Sequence, residues 1–274
     1  VALYASALSG LPFSFTAHAK DIYTSEPDQL REKIALARFV VTCTEYNRRH
    51  LLSLADGLPT PVHRVYHGID TQLFANGAAI GAAPSPPYRL LTVARLIRKK
   101  GIPTVLRAVK HLHEKGVPLT YTLIGDGQDR ESILGLVREL GLESLCRWLG
   151  TQPHRVVLEC YRRADLFVLG CEVADDGDRD GVPNVLFESM AMGVPVAATG
   201  VSAIPELVES GRTGLLVPPR QPEALAGAML ALLTDEGLRR RVIPAARERV
   251  LRDFDHRALV SRLADIYRAA LAGS

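Results

Sequence analysis

The sequence is poor in features that would take it out of the ordinary globular class. Cysteine is scarce: Cys43, Cys146, Cys160 and Cys171 are the only four in 274 residues, form no CxxC pair and lie in otherwise apolar stretches. That argues against a small secreted domain held by disulfides and fits reduced thiols in a cytosolic protein. Net charge is small, 33 Lys and Arg against 30 Asp and Glu with the signs interspersed. Composition therefore calls for no nucleic acid or other polyanion, while a small anionic ligand stays open. No run reaches the roughly 18 uninterrupted apolar residues of a membrane span, and no basic segment leads into an apolar one at the N-terminus. A peripheral association with a membrane stays compatible with this composition. An initiating methionine is also lacking: residue 1 is Val, and VALYASALSGLPFSFTAH reads like the middle of an α/β unit. An N-terminal portion is therefore expected to be missing.

Hydrophobic residues make up 47% of the chain, ample for one large domain or about two ordinary ones. Short apolar runs alternate with helical stretches, which predicts an α/β, doubly wound fold with a mostly parallel sheet. Strands are predicted over 12–18, 38–44, 62–68, 88–94, 119–125, 145–150, 164–170 and 194–199, and helices over 45–55, 103–115, 129–140, 155–163, 184–192 and 222–231. The stretch NGAAIGAAPSPP breaks every period with small residues and prolines, and 77–87 is the predicted linker. Residues 1–76 supply about three strands, too few for a complete doubly wound sheet, and are expected to leave an unpaired edge or an exposed apolar face. Residues 88–253 read as a complete Rossmann-like domain. Beyond them Leu259, Leu263, Ile266, Tyr267 and Ala270 recur at helical spacing, an apolar stripe that must dock on something.

Three segments carry chemistry. In GDRDGVPNVLFESMAMG, 177–193, Gly181 and Pro183 suit a turn into a helix beginning near Pro183. Val185 to Met192 is apolar apart from Glu188 and Ser189, so Glu188 is expected to be buried and to need a partner, either an internal hydrogen bond or a ligand. In VARLIRKKG, 93–101, an apolar strand ends and Arg95, Arg98, Lys99 and Lys100 crowd a glycine before a helix. Open α/β sheets bind ligands at the carboxyl ends of strands, and helix N-termini offer free amides to anions, so cations there suit a diphosphate. Arg98 and Lys99 are expected on a solvated face; Arg95 and Lys100 are the candidates. In LIGDGQDR, 123–130, Arg130 stands where a dinucleotide fingerprint wants its third glycine. Gly125 and Gly127 then indicate close backbone approach, to a ligand or to another loop.

Together with FTAHAKDIY, TEYNRRHL, VYHGIDTQLF and IPELVESGRTGLLVPP, these segments resemble the retaining GT-B glycosyltransferases of family four, the glycosyl transferases group 1. The resemblance covers essentially the whole chain and is closest to bacterial exopolysaccharide, colanic-acid-type members. It implies a GT-B fold with a truncated N-terminal, acceptor-side domain over 1–76, a nucleotide-sugar-binding domain over 88–253, and a final helix in 254–274 that crosses back to the N-terminal domain. It also implies an E-x7-E motif that closes on the donor, with Glu188 holding the ribose hydroxyls. Asp180 stands in the first position of that motif, keeping the carboxylate that contacts the transferred sugar but shortening its reach by about one methylene. Arg95 and Lys100 fall on the family's diphosphate clamp. His18 falls on its histidine near the donor sugar; a histidine capping a turn at a strand end is the plainer reading of that residue. Thr151 and Gln152 fall where base contacts come from backbone groups, and Gly125, Gly127, Gly181, Val182, Pro183, Asn184 and Val185 complete the implied donor-binding set.

The implied activity is transfer of a hexosyl group from a nucleotide diphosphate sugar, a co-substrate and not a cofactor, to a glycan or lipid-linked acceptor with retention of configuration. The setting would be exopolysaccharide or related glycan biosynthesis, in the cytoplasm or peripherally at the inner face of the membrane, with no nucleic-acid partner. Reaction is expected on one face of the sugar through an oxocarbenium-like transition state, with Arg95, Lys100 and helix amides stabilising the departing diphosphate. No metal is expected. Asp176, Asp178, Asp180 and Gly181 open like an EF-hand loop, but its twelfth position is Phe187 and Glu188 comes one residue late. Asp176-Gly177-Asp178 imitates the metal-binding D-x-D of the other glycosyltransferase fold without its context. Two rivals remain. A glycosidase could pair Asp180 with Glu188 at about 5 or about 6.5–9.5 Å, but would not need cations at a helix start. A non-catalytic module could bind the nucleotide sugar without an acceptor site. The base, the sugar and the acceptor stay open.

Overall fold

The computed structural model describes residues 2–74 and 83–272. The N-terminal unit runs α1 (Ala2–Ser9), β1 (Phe15–Ala17), α2 (Ala19–Tyr23), α3 (Pro27–Leu36), β2 (Val40–Thr42), α4 (Glu45–Leu54) and β3 (Val62–Arg64). Its strands form one parallel sheet in the order β1-β2-β3, with Val40 opposite both Phe15 and Val62. A small core of Ile22, Leu30, Ile34, Val40, Leu51 and Val62 fills the space beneath the helices. Thr44 starts α4 by accepting a hydrogen bond from the Asn47 amide at 3.1 Å, satisfying an amide that the first turn of a helix leaves free. On α1, Tyr4 and Leu8 are exposed, and so is Leu11 just after it.

The C-terminal unit runs β4 (Tyr88–Val93), α5 (Ile102–Glu114), β5 (Leu119–Ile124), α6 (Arg130–Glu139), β6 (Cys146–Trp148), α7 (His154–Arg163), β7 (Leu166–Leu169), α8 (Asn184–Ala191), β8 (Val196–Thr199), β9 (Leu215–Val217), α9 (Pro222–Thr234) and α10 (Glu236–Asp253). All six strands are parallel, in the order β6-β5-β4-β7-β8-β9. The chain enters at β4 in the middle, winds outward to β6, then returns to β7 and winds the other way. The carboxyl ends of β4 and β7 therefore flank a topological switch point, where helices depart to opposite faces and leave a crevice. Leu90, Leu91, Tyr121, Phe167 and Phe187 are fully buried in the core around this sheet, as near-continuous apolar strands covered on both faces require.

The strands are shorter than the sequence predicts: three residues where 12–18, 38–44, 62–68 and 145–150 are expected. Each apolar run continues past the last ladder pair into the loop that leaves the sheet. Strand β9 and helices α1, α2, α3 and α10 are absent from the sequence prediction. Strand β9 is a short, half-buried edge strand, and α10 carries Pro244 in its interior, which normally reads as a helix stop. Of the predicted linker, 77–82 lie outside the described residues, and 83–87 carry no regular structure.

The last helix, α11 (His256–Ala272), lies on the N-terminal sheet. Leu259 packs with Phe39, Val41 and Val65, and Leu263, Ile266 and Ala270 extend the contact. Its entry is fixed by backbone bonds from Ile69 N to Phe254 O and from His256 N to Ile69 O, each 3.0 Å. The apolar stripe read from the sequence is this docking surface. Among the described residues no helix is long and apolar enough to cross a membrane.

Candidate functional site

After β4 the chain makes a 3₁₀ turn, Arg98–Lys100, and then Gly101 at φ 58° opens α5. Gly101 is in the left-handed region, and a Cβ there would fall on the Gly170 carbonyl oxygen at the end of β7. Only glycine lets the two strand ends close in this way. The tight approach presses the three basic residues of the turn against the segment that leaves β7. Glu172 N donates to Lys99 O at 2.9 Å, tying the turn to that segment.

Here the structure corrects one expectation. Lys99, assigned to a solvated face, is only 6% exposed. Its Nζ lies 2.9 Å from Asp178 Oδ1 and 3.6 Å from Asp180 Oδ1. Lys100 is also buried, with Nζ 2.7 Å from Asp180 Oδ2. The buried thiol of Cys171 completes the set by donating to Asp180 Oδ2 at 3.4 Å. Burial first, and the Asp180 charge second, hold that thiol far above its ordinary pKa, so it stays protonated. Arg98 is half-exposed, as a solvated cation would be, but is also paired with the buried Glu172 at 2.8 Å.

Arg95 behaves differently. It is exposed just past the end of β4, and its guanidinium has no carboxylate or hydrogen-bond partner among the described residues. It lines a cavity of about 260 Å³ with Lys20 of α2, Arg98, Lys99, Gln128 and Asp178. Arg95 thus lines the cavity, whereas Lys100 is paired with Asp180.

Gly125 and Gly127 are explained by a second close approach. A Cβ on either would strike the carbonyl oxygen of Ala94 or of Leu96, so close contact with another loop, one of the two alternatives the sequence left open, is present. Thr151 is exposed, and the Gln152 side chain donates to Leu149 O. Gly181 packs against Thr44 of the N-terminal unit, Val182 is half-buried, and buried Pro183 caps the start of α8. Asn184 is exposed at the first position of α8, and Val185 O lies 3.2 Å from Tyr161 Oη.

Glu188, one turn into α8, is half-buried and accepts a hydrogen bond from Tyr161 Oη at 3.1 Å. Desolvation raises its pKa, opposed in part by the Tyr161 bond and by His154. Glu188 is thus less buried than the sequence predicts, and the internal hydrogen bond, one of its two alternative partners, is present. Among the described residues no group of three or more His, Cys, Asp or Glu is placed to hold a metal ion.

His18 follows β1 as the residue that starts α2; its amide donates to Asp21 Oδ2 at 3.1 Å, and its ring is half-exposed. The ring lies 5.2 Å from that of His67, a residue the sequence reading passed over. Burial first, and His18 second, lower the His67 pKa, favouring neutral imidazole. His67 and Asn184 line a second cavity, of about 300 Å³, floored by Val41, Val65 and Leu259.

Two further residues missed from the sequence join the units. The Glu206 carboxylate accepts from the Glu45 amide at 2.8 Å, the Tyr46 amide at 2.6 Å and Tyr66 Oη at 2.8 Å. It thereby places a negative charge at the N-terminus of α4, where the helix dipole favours one. Arg179 stacks over the Tyr23 ring at 4.1 Å and donates to Tyr46 Oη at 3.3 Å. No local pattern marks either residue, because each partner lies more than a hundred positions away.

The sequence pattern of the family described as "Glycosyl transferases group 1" matches residues 78–249. The Escherichia coli K12 protein that carries the name colanic acid biosynthesis glycosyltransferase WcaL is 34% identical over 242 residues, 87% of this chain and 52% of the relative. The amylovoran biosynthesis glycosyltransferase AmsK of Erwinia amylovora is 35% identical over 180 residues, 66% of this chain and 44% of the relative. The chain thus spans about half the length of the curated relatives it matches. Among solved structures, sucrose-phosphate synthase from Thermosynechococcus elongatus superposes with a TM-score of 0.82 at 24% identity, covering 99% of this chain and 71% of that one. Anabaena HepE in complex with UDP-glucose superposes with a TM-score of 0.79 at 20% identity, covering 97% and 74%.

Proposed function

Since the chain belongs to the glycosyl transferases group 1 and has the α/β architecture of GT-B glycosyltransferases, we propose that it transfers a hexosyl group from a nucleotide diphosphate sugar to a glycan or lipid-linked acceptor. Transfer retains the anomeric configuration, serves exopolysaccharide or related glycan biosynthesis, and takes place in the cytoplasm or at the inner face of the membrane. The observation that carries the reading is the crevice at the switch point. There the exposed, unpaired Arg95, the buried pair Lys99 and Lys100, and the N-terminus of α5 gather at the end of β4, with Glu188 one turn into α8. An electropositive strand end beside a helix N-terminus suits a diphosphate, and the names WcaL and AmsK support the exopolysaccharide setting.

The protein's work in this reading is electrostatic. Arg95 approaches the diphosphate from the open cavity, Lys100 and the positive end of the α5 dipole from the crevice wall, and together they stabilise the charge that develops as the sugar leaves. Glu188 holds the ribose hydroxyls, since a carboxylate with one bond already made to Tyr161 keeps acceptor capacity for more. Asp180 is the sugar-side carboxylate of the motif, and His18 approaches the donor from the N-terminal unit. The cations supply the charge that a metal would otherwise bring. Calorimetry with UDP, GDP, ADP and dTDP, followed by a transfer assay with their sugars, tests the proposal. A folded Glu188→Ala variant should bind the preferred nucleotide more weakly by about 1–3 kcal/mol, the scale of lost hydrogen bonds to a charged group. Unchanged affinity removes the ribose assignment, and binding without transfer favours a nucleotide-sugar-binding module.

A further inference from the structure

Lys99 touches no part of the donor in the reading above, yet it is among the most buried charges in the molecule, and its surroundings account for that. Its side chain is 7% exposed and reaches two carboxylates, Asp178 at 2.9 Å and Asp180 at 3.6 Å. Both carboxylates belong to the segment between β7 and α8, and both are largely buried, at 17% and 13% exposure. Lys100 reaches only Asp180, at 2.7 Å. Two ammonium groups and two carboxylates form one closed set, with Lys99 bridging its halves. The turn that carries them cannot move aside, because Gly101 is pressed onto Gly170 and Lys99 O is bonded to the Glu172 amide.

A diphosphate arriving at Lys100 has to compete with Asp180 for the same ammonium group. If Lys100 turned away alone, Asp180 would be left as an uncompensated, poorly hydrated carboxylate close to an incoming anion, a strongly unfavourable state. Lys99 removes that obstacle. Its Nζ is already within ion-pair distance of Asp180, and the Cys171 thiol still donates to the same carboxylate.

We infer that Lys99 is a positioning residue that keeps Asp180 charge-balanced while Lys100 passes from Asp180 to the donor diphosphate. The inference rests on the nucleotide-sugar reading. It also bears on the aspartate in the first position of the E-x7-E motif: the shorter side chain stays within reach of both lysines.

The test is a charge-balance cycle on the full chain, read by calorimetry with UDP, GDP, ADP and dTDP. Lys99→Met leaves two carboxylates to one ammonium group and should weaken binding of the preferred nucleotide about tenfold, whereas Lys99→Arg should stay within about threefold of wild type. Adding Asp180→Asn to Lys99→Met removes the carboxylate that would be left unbalanced when Lys100 turns to the diphosphate, and should recover most of the loss. A merely packing role for Lys99 predicts no such recovery. Nucleotide binding by Lys99→Met equal to wild type, or a double variant as weak as the single one, overturns the inference and leaves the nucleotide reading standing. If Lys99→Met does not fold, Asp178→Asn alone decides: it frees Lys99 for Asp180 and should tighten binding about threefold, and unchanged or weaker binding overturns the inference. Wild-type protein that binds none of the four nucleotides removes the reading and the inference together.

Discussion

Replacing Glu206 by Ala should loosen the N-terminal unit without touching the nucleotide crevice. The carboxylate accepts three hydrogen bonds from that unit: two from the first amides of α4 and one from Tyr66. Tyr46 is exposed, so water can reach the freed amides, and their loss resembles the loss of a helix cap, about 1 kcal/mol, plus about 0.5 kcal/mol for the anion at the helix N-terminus. The bond to the half-buried Tyr66 adds about 1 kcal/mol. The sum is roughly 2–3 kcal/mol, or about 5–10 °C in Tm for a chain of this size if it melts as one unit. Glu206→Gln keeps an acceptor but loses the charge and should cost about half as much. Hydrogen exchange locates the effect: amides of α4 and β1 to β3 should exchange faster, while β4, β5 and β7 stay protected. A spectrophotometric titration supplies an independent reading. Burial, and then the bond to Glu206, push Tyr66 up to about 12, so the variant should bring it part of the way back. An unchanged Tm, or faster exchange confined to the six-stranded sheet, would refute the view that Glu206 joins the units.

The raised pKa of Glu188 has a definite sign: a carboxyl whose folded-state pKa lies above its unfolded value adds stability below the unfolded pKa and loses it as pH rises through the folded one. Glu188→Gln should therefore raise Tm near neutral pH and lose that advantage in acid below the ordinary glutamate range, as a pH series of melts would show. Gly101→Ala should destabilise by about 3 kcal/mol or more, because the alanine meets both a left-handed backbone and the Gly170 carbonyl; a chemical denaturation curve like that of wild type would contradict the close approach. Nucleotide binding measured with and without a chelator should be the same, and loss on chelation would turn attention to the acidic run 175–180 as a metal site.

Much of the fold that frames the candidate site could be read before folding because it depends on local pattern. Short apolar runs separated by helical periods specify a parallel, covered sheet, and a glycine after a basic strand end marks where a helix must start close to another backbone. The stripe on α11 was legible for the same reason. Strand β9 and helix α10 were not, one being too short and too near the edge to show a period, the other interrupted by Pro244. What the tertiary structure alone decided is how the charges pair. Lys99 and Lys100 stand in one basic run, and nothing local says that the first bridges two carboxylates some eighty positions away while Arg95 stays unpaired beside a cavity. Nor does it say that Gly125 and Gly127 are spent on contact with 94–96 or that Glu206 caps a helix of the other unit. Periodicity records which face of a segment is apolar, and one sequence suffices to read it; ion pairs and caps across the fold depend on which segments meet, which is settled only when the sheet has assembled and water has been excluded from between them.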